Sequence, residues 1–240
     1  MKCSAIASNS ILGLALLLAG AAGCQNPADD VAPAKVSAPP PAASSAGPAA
    51  AKPGPSASPA VAAKEIPAGA EVLKFDPGNS KVEFTGSKVS GSHSGGFKSF
   101  QGTWALVATK PESSVISAEI AMDSTWSDSD RLTGHLKSPD FFDVAKFPTA
   151  TFESTGIRPG SSDAKAKDAT HTVAGTLSLH GVSRTIEFPA RLSVTDKEAS
   201  LESEFSLNRK DFGIVYAGMA NDLIREEVVI RLAVHAARKP

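Results

Sequence analysis

From about residue 72 onward the chain alternates apolar and polar side chains with a period of two. HTVAGTLSL sets Val173, Gly175, Leu177 and Leu179 on one face against Thr172, Ala174, Thr176 and Ser178. RTIEFPARLSV sets Ile186, Phe188, Ala190, Leu192 and Val194 against Glu187, Pro189, Arg191 and Ser193. LESEFSLNR repeats this with Leu201, Phe205 and Leu207, and EEVVIRLAV with Val228, Ile230, Leu232 and Val234. KVEFTG, GTWALVA, SVISAEIAM and TATFES are shorter, noisier versions of the same pattern. Such alternation predicts half-buried β-strands. Turn residues punctuate them at Pro77-Gly78-Asn79, Gly91 to Gly96, Lys110-Pro111, Pro159-Gly160 and His180-Gly181. Around Asp128 to Phe142 a short helix is predicted, with Ser127-Asp128 as its cap and Pro148 beyond its end.

About eight strands and one helix predict an all-β fold, an antiparallel eight-stranded barrel or a sandwich. One apolar face per strand means one side buried and one in water, and closure into a barrel removes exposed edges. A barrel of that size either fills itself with side chains or holds one apolar ligand. Periodicity does not choose between the two.

Composition then divides the chain. All fourteen aromatic residues lie between Phe75 and Tyr216, while nine of the seventeen prolines lie between Pro27 and Pro59. An Ala/Pro-rich stretch without aromatics buries too little apolar surface to offset chain entropy. Residues 24–70 are therefore expected to be a disordered linker, and residues 71–238 the folded domain. Before them, Lys2, the apolar run Ile11 to Leu18 and small residues up to position 23 have the layout of a secretory signal peptide over residues 1–23. AAG-Cys24 resembles a bacterial lipobox, which implies a lipoprotein acylated at Cys24. Cys3 leaves with the leader, so the mature chain would hold a single cysteine, and acylation suits it better than a lone thiol in an oxidising compartment. The alternative is ordinary cleavage after Ala19-Gly20-Ala21. Acylation implies a protein anchored in the bacterial cell envelope and facing the periplasm. Gln25 after the cysteine favours the outer membrane.

The formal net charge of −1 excludes a generally basic nucleic-acid binder. No apolar run reaches the ~20 residues that span a bilayer as a helix. His93, His135, His171, His180 and His235 show no metal-ligand spacing and have no cysteine beside them, so neither a metal nor another cofactor is expected. Asp211-Phe212-Gly213 reads as a turn after a strand, with Gly213 supplying backbone freedom.

Taken in order, RLTGHLKSPDFFDVAKFPTATFES, VAGTLSLHGVSRTIEFP and FSLNRKDFGI resemble successive motifs of the YceI-like family of bacterial envelope proteins. Upstream, KVEFTGSKVSGSHSGGFKSFQG is similar to that family's first hairpin, with His93 and Phe97 in its H-x-G-x-F position. A second histidine that the family commonly carries near Ser87 or Lys88 is missing. The resemblance covers about residues 72–236. It implies a lipocalin-like barrel whose apolar interior takes a polyisoprenoid lipid or an isoprenoid quinone tail, a non-enzymatic role in binding, carrying or buffering.

On that implication the candidate lining residues are Phe84, Phe97, Phe100, Trp104, Trp126, Phe141, Phe142, Phe152, Leu177, Phe188, Phe205 and Phe212. Taken singly, each is better read as core filler. Phe141-Phe142 stands out, since adjacent aromatics on a regular strand cannot both face one core. His135, crowded with Asp128, Asp130 and Arg131, is the candidate to hydrogen-bond a head group at the barrel mouth. Two other readings stand: a packed barrel whose loops bind an envelope protein, and an enzyme acting on a held lipid with His135 as its acid–base group.

Overall fold

The period-two segments fold as strands and pair mostly with their sequence neighbours. The computed structural model describes residues 26–38, 66–161, 163–166 and 168–238. The predicted leader, Cys24 and the linker from 39 to 65 lie outside the described residues. Before the domain come β1 (Ala32–Pro33) and β2 (Lys35–Ser37). The first half of the domain holds β3 (Glu71–Phe75), β4 (Lys81–Lys88), β5 (Gly91–Phe97), β6 (Phe100–Leu106), β7 (Val115–Ala121) and β8 (Thr125–Ser127). After helix α1 (Asp130–Leu136) follow β9 (Thr149–Pro159), β10 (His171–Leu179), β11 (Val182–Val194), β12 (Glu198–Asn208), β13 (Gly218–Met219) and β14 (Asp222–Ala237). The main path runs β3-β6-β7-β9-β10-β11-β12-β14-β4-β5-β8, antiparallel throughout, and curls strongly into a half-barrel.

That path has more strands than the eight expected, and β5 shows why. Gly91 to Gly96, predicted as a turn, is a strand; the turn is Val89-Ser90. The glycines are there for close approach. A Cβ on Gly95 would sit 2.4 Å from the Trp126 carbonyl and 2.6 Å from the Phe84 ring, and one on Gly96 2.8 Å from the Val82 carbonyl. Glycine here lets large rings lie against a strand, which a turn-based reading of glycine does not anticipate. Elsewhere the turn chemistry holds. His180 and Gly181 have φ of 52° and 74° and join β10 to β11 by a two-residue hairpin. Gly213, with φ of 75°, ends the turn after β12.

The helix is shorter than predicted and capped differently. Ser129 accepts from the Leu132 N–H, while Ser127 bonds Thr133 and Asp128 turns away to β5. Pro139 disfavours helical backbone at Ser138, and residues 137–142 follow the helix as turns and a bend.

The first part of the predicted linker is not coil. β11 and β12 pair only over Arg191–Val194 with Ala199–Glu202 and then diverge. Residues 26–38 fill the split: β1 runs parallel to β12 (Ala32 beside Phe205) and β2 antiparallel to β11 (Val36 beside Ile186). The Ala34 N–H donates to the Ser206 carbonyl at 2.8 Å, and Ala34 and Val36 pack against the core. The physical reason is that two diverging strands leave unpaired amides and carbonyls, which any adjacent extended segment can satisfy. Composition argues only about what a segment does alone, and this one does not fold alone.

Candidate functional site

The inward faces enclose a cavity of ≈ 420 Å³. That falls within the range of ligand pockets, about 300–1,000 Å³. Its lining is almost wholly apolar and long in the strand direction. On β4 it runs from Val82 to Lys88, and on β14 from Ile224 to Val234. Ten residue rises along β14 amount to about 33 Å of strand path. Aromatic rings gather in two groups along it. Phe188 stacks on Phe205 at 4.6 Å between centroids, with Phe152 5.8 Å from Phe188. Phe84, Phe97 and Phe142 form a second trio at 5.8 to 6.3 Å. Apart from the stacked Phe188–Phe205 pair, these rings meet tilted or edge-on.

One end of the cavity carries the polar groups. Lys88 and His93 border it there, half in water, and both have carboxylate partners: Lys88 is ion-paired with Asp222, and His93 Nδ1 is hydrogen-bonded to Asp128 at 2.8 Å. The Ser94 N–H bond, more than His93, holds the Asp128 carboxyl below its ordinary range. The hydrogen bond from Lys88, joined by Ser90, does the same to Asp222. Arg209 lines the same region from a buried position. Its guanidinium donates to the carbonyls of Ile214 (2.6 Å), Arg225 (3.0 Å) and Ile224 (3.3 Å). Burial pushes its pKa down, partly offset by Glu226 and Glu227. These bonds tie the end of β12 to the start of β14 and commit most of the donors, so Arg209 organises the mouth and leaves little for a ligand. Leu132 and Leu136 of α1, with Phe141 and Phe142 beyond it, line the cavity at this end and pack with Phe84, Ile214 and Ile224.

Of the residues expected to line an apolar interior, eight do: Phe84, Phe97, Phe141, Phe142, Phe152, Leu177, Phe188 and Phe205. The adjacent pair Phe141 and Phe142 both reach the cavity because they sit in a turn, which lacks the strand's alternation. The other five do not line it. Phe100 and Trp104 are buried in the core between strands, and Phe212 is fully buried in the turn after β12. Trp126 lies against Gly96 on β8. His135 is off the cavity: Nε2 is 2.9 Å from Asp140, and its ring meets Phe141 and Tyr216 edge-on. Helix α1 turns it away from the interior, so it is not placed to meet a head group there. Among the described residues no three His, Cys, Asp or Glu side chains converge as a metal site, and no helix is long and apolar enough to cross a membrane.

Lys88, His93 and Arg209 were absent from the expected lining, yet the signal was present. Val82, Phe84, Gly86 and Lys88 share one face of β4; His93, Gly95 and Phe97 share one face of β5. Leu201, Ser203, Phe205 and Leu207 on β12 lead to Arg209 by the same step of two. Carrying the alternation past the last apolar residue to the strand's end marks the polar rim.

Comparison with known proteins agrees with this architecture. The YceI-like domain matches residues 73–236. A UPF0312 protein of Pseudomonas putida is 32% identical over 142 residues, covering 57% of this chain and 71% of its own length. One of Azotobacter vinelandii is 36% identical over 126 residues, 50% of this chain and 62% of that one. Among solved structures, Burkholderia cenocepacia BcnA superposes with a TM-score of 0.59 at 20% identity, covering 68% of this chain and 99% of that one. A polyisoprenoid binding domain from Saccharophagus degradans gives 0.53 at 16% identity, covering 71% and 99%. A sheet curled around an apolar hollow, motif for motif over nearly the whole folded part, places this chain in the YceI-like family.

Proposed function

We propose that the cavity binds the tail of a polyisoprenoid lipid or isoprenoid quinone, and that the protein carries or buffers it while held at the cell envelope through acylated Cys24. A single observation carries this reading: the inward faces surround ≈ 420 Å³ of apolar space in place of a solid core. A polyprenyl tail is long and uncharged, so its recognition asks for concealed apolar area, at about 25 cal/mol per Å² removed from water, and for little else. The cavity meets that demand along its length and confines its charges to one end. The resemblance of the fold to a domain described as polyisoprenoid binding supports the same ligand class. No group inside the cavity is arranged for acid–base work. At its edge Lys88 is held by Asp222 and His93 by a hydrogen bond to Asp128.

Native mass spectrometry of the purified full chain, before and after organic extraction, tests the reading. The expected result is an extractable prenyl adduct, restored on incubation with an isoprenoid quinone. A protein that carries no adduct and takes up neither a quinone nor a polyprenyl alcohol would overturn it.

A further inference from the structure

Among the described residues six large apolar side chains stand exposed: Ile66, Val72, Val89, Val215, Met219 and Leu223. Three of them, Val89, Met219 and Leu223, gather at one tip of the fold. Val89 is the turn between β4 and β5, and its N–H donates to the Leu223 carbonyl at 3.2 Å. Met219 and Leu223 lie at the tip of the β13–β14 hairpin, where Met219 pairs with Asp222 and Leu223 with Gly218, and Val215 lies on the segment leading into it. The charges at this surface are neutralised in place: Asp222 takes the Lys88 ammonium together with the Ser90 N–H and hydroxyl. An apolar patch with its ions already paired is inexpensive to take out of bulk water.

Two further observations give this patch an occupant. The patch is continuous with the cavity mouth, since Lys88 and Ile224, next in sequence to Val89 and Leu223, line the cavity. The chain's amino-terminal segment also comes back to this end. Ser87 donates to the buried Asn26 side chain at 3.0 Å, and residues 27–37 continue from there over β14 to the split between β11 and β12. Cys24 stands two positions before Asn26 in the chain. A lipid anchor at Cys24 would therefore fasten the domain at its cavity mouth, not at the far end of a forty-residue tether.

From these we propose that the end bearing Val89, Met219 and Leu223 rests on the surface of a lipid bilayer, so that a tail passes between membrane and cavity without crossing water. The proposal builds on the cargo reading above. It gives the docked segment 26–38 a role: that segment orients the domain on the membrane.

The test measures depth and needs no cargo. The full chain, reconstituted in vesicles of phosphatidylethanolamine and phosphatidylglycerol, carries an environment-sensitive fluorophore at Met219→Cys or, at the opposite end between β11 and β12, at Asp196→Cys. Nitroxide-labelled phospholipid is expected to quench the label at 219 and shift its emission to the blue, and to leave the label at 196 unchanged. Adding Val89→Glu and Leu223→Glu, both at exposed positions, should abolish the quenching at 219 while the circular dichroism spectrum stays the same. Equal quenching at both ends, or none at either, would overturn the docking. Docking without any extractable prenyl lipid would retain the surface and discard the cargo; extractable lipid without docking would do the reverse.

Discussion

Filling the cavity should abolish binding without unfolding the protein. Ala118 on β7 faces the hollow, opposite Gly102 on β6 and Phe152 on β9. Ala118→Trp places an indole in space the protein leaves empty, so overpacking costs less than the usual ~1–3 kcal/mol. The indole displaces at least one five-carbon unit of a bound tail. At about 0.8 kcal/mol per buried carbon that is about 4 kcal/mol, close to a thousandfold in Kd. Glu119→Trp, one residue on and on the outer face of the same strand, is the control. Titration of each variant with an isoprenoid quinone, followed by intrinsic fluorescence or calorimetry, reads the difference, and thermal unfolding confirms that both remain folded. If Ala118→Trp binds as the unaltered protein does, or if Glu119→Trp weakens binding equally, the interior is not where the ligand goes.

Three more outcomes follow from particular contacts. Gly95→Ala drives a methyl against the Trp126 carbonyl, a backbone atom that cannot swing aside, so a loss of about 1–3 kcal/mol is expected in denaturant unfolding. Arg209→Leu strips donors from three carbonyls at the cavity end and should lower stability by about 1–3 kcal/mol, while Arg209→Lys recovers only part because one ammonium does not reproduce the guanidinium fork. Asp128 has a lowered pKa in the folded state, so its contribution is complete above the ordinary value of 3.8 and fades as pH falls through the folded value. Asp128→Asn should therefore lower the unfolding free energy slightly at neutral pH, by well under ~1 kcal/mol given its exposure, and make the acid limb below about pH 4 less steep, both read by thermal unfolding across pH.

Much of this molecule is written in its order of residues. Strands β9 to β12 and β14 are legible because period-two alternation is a local property, enforced by the pleat itself. The His180-Gly181 and Gly213 turns are legible for the same reason, since left-handed backbone selects its own residues. What escaped depends on partners distant in sequence. Gly91 to Gly96 reads as a turn until the Phe84 and Trp126 rings lie against it. Residues 26–38 read as linker until β11 and β12 part and offer them hydrogen bonds.

The cavity draws the same line most sharply. On the strands, alternation determined which side chains point inward, Lys88 at the end of β4 included, whereas Arg209, Phe141 and Phe142 reach the cavity from turns. Whether those side chains meet in the middle was decided only by curvature. The way the curled sheet spaces its inner faces sets the volume that Phe152, Phe188, Phe205 and their neighbours have to fill, and they leave ≈ 420 Å³ over. Packing is a sum over all the strands at once, and no single segment carries that sum.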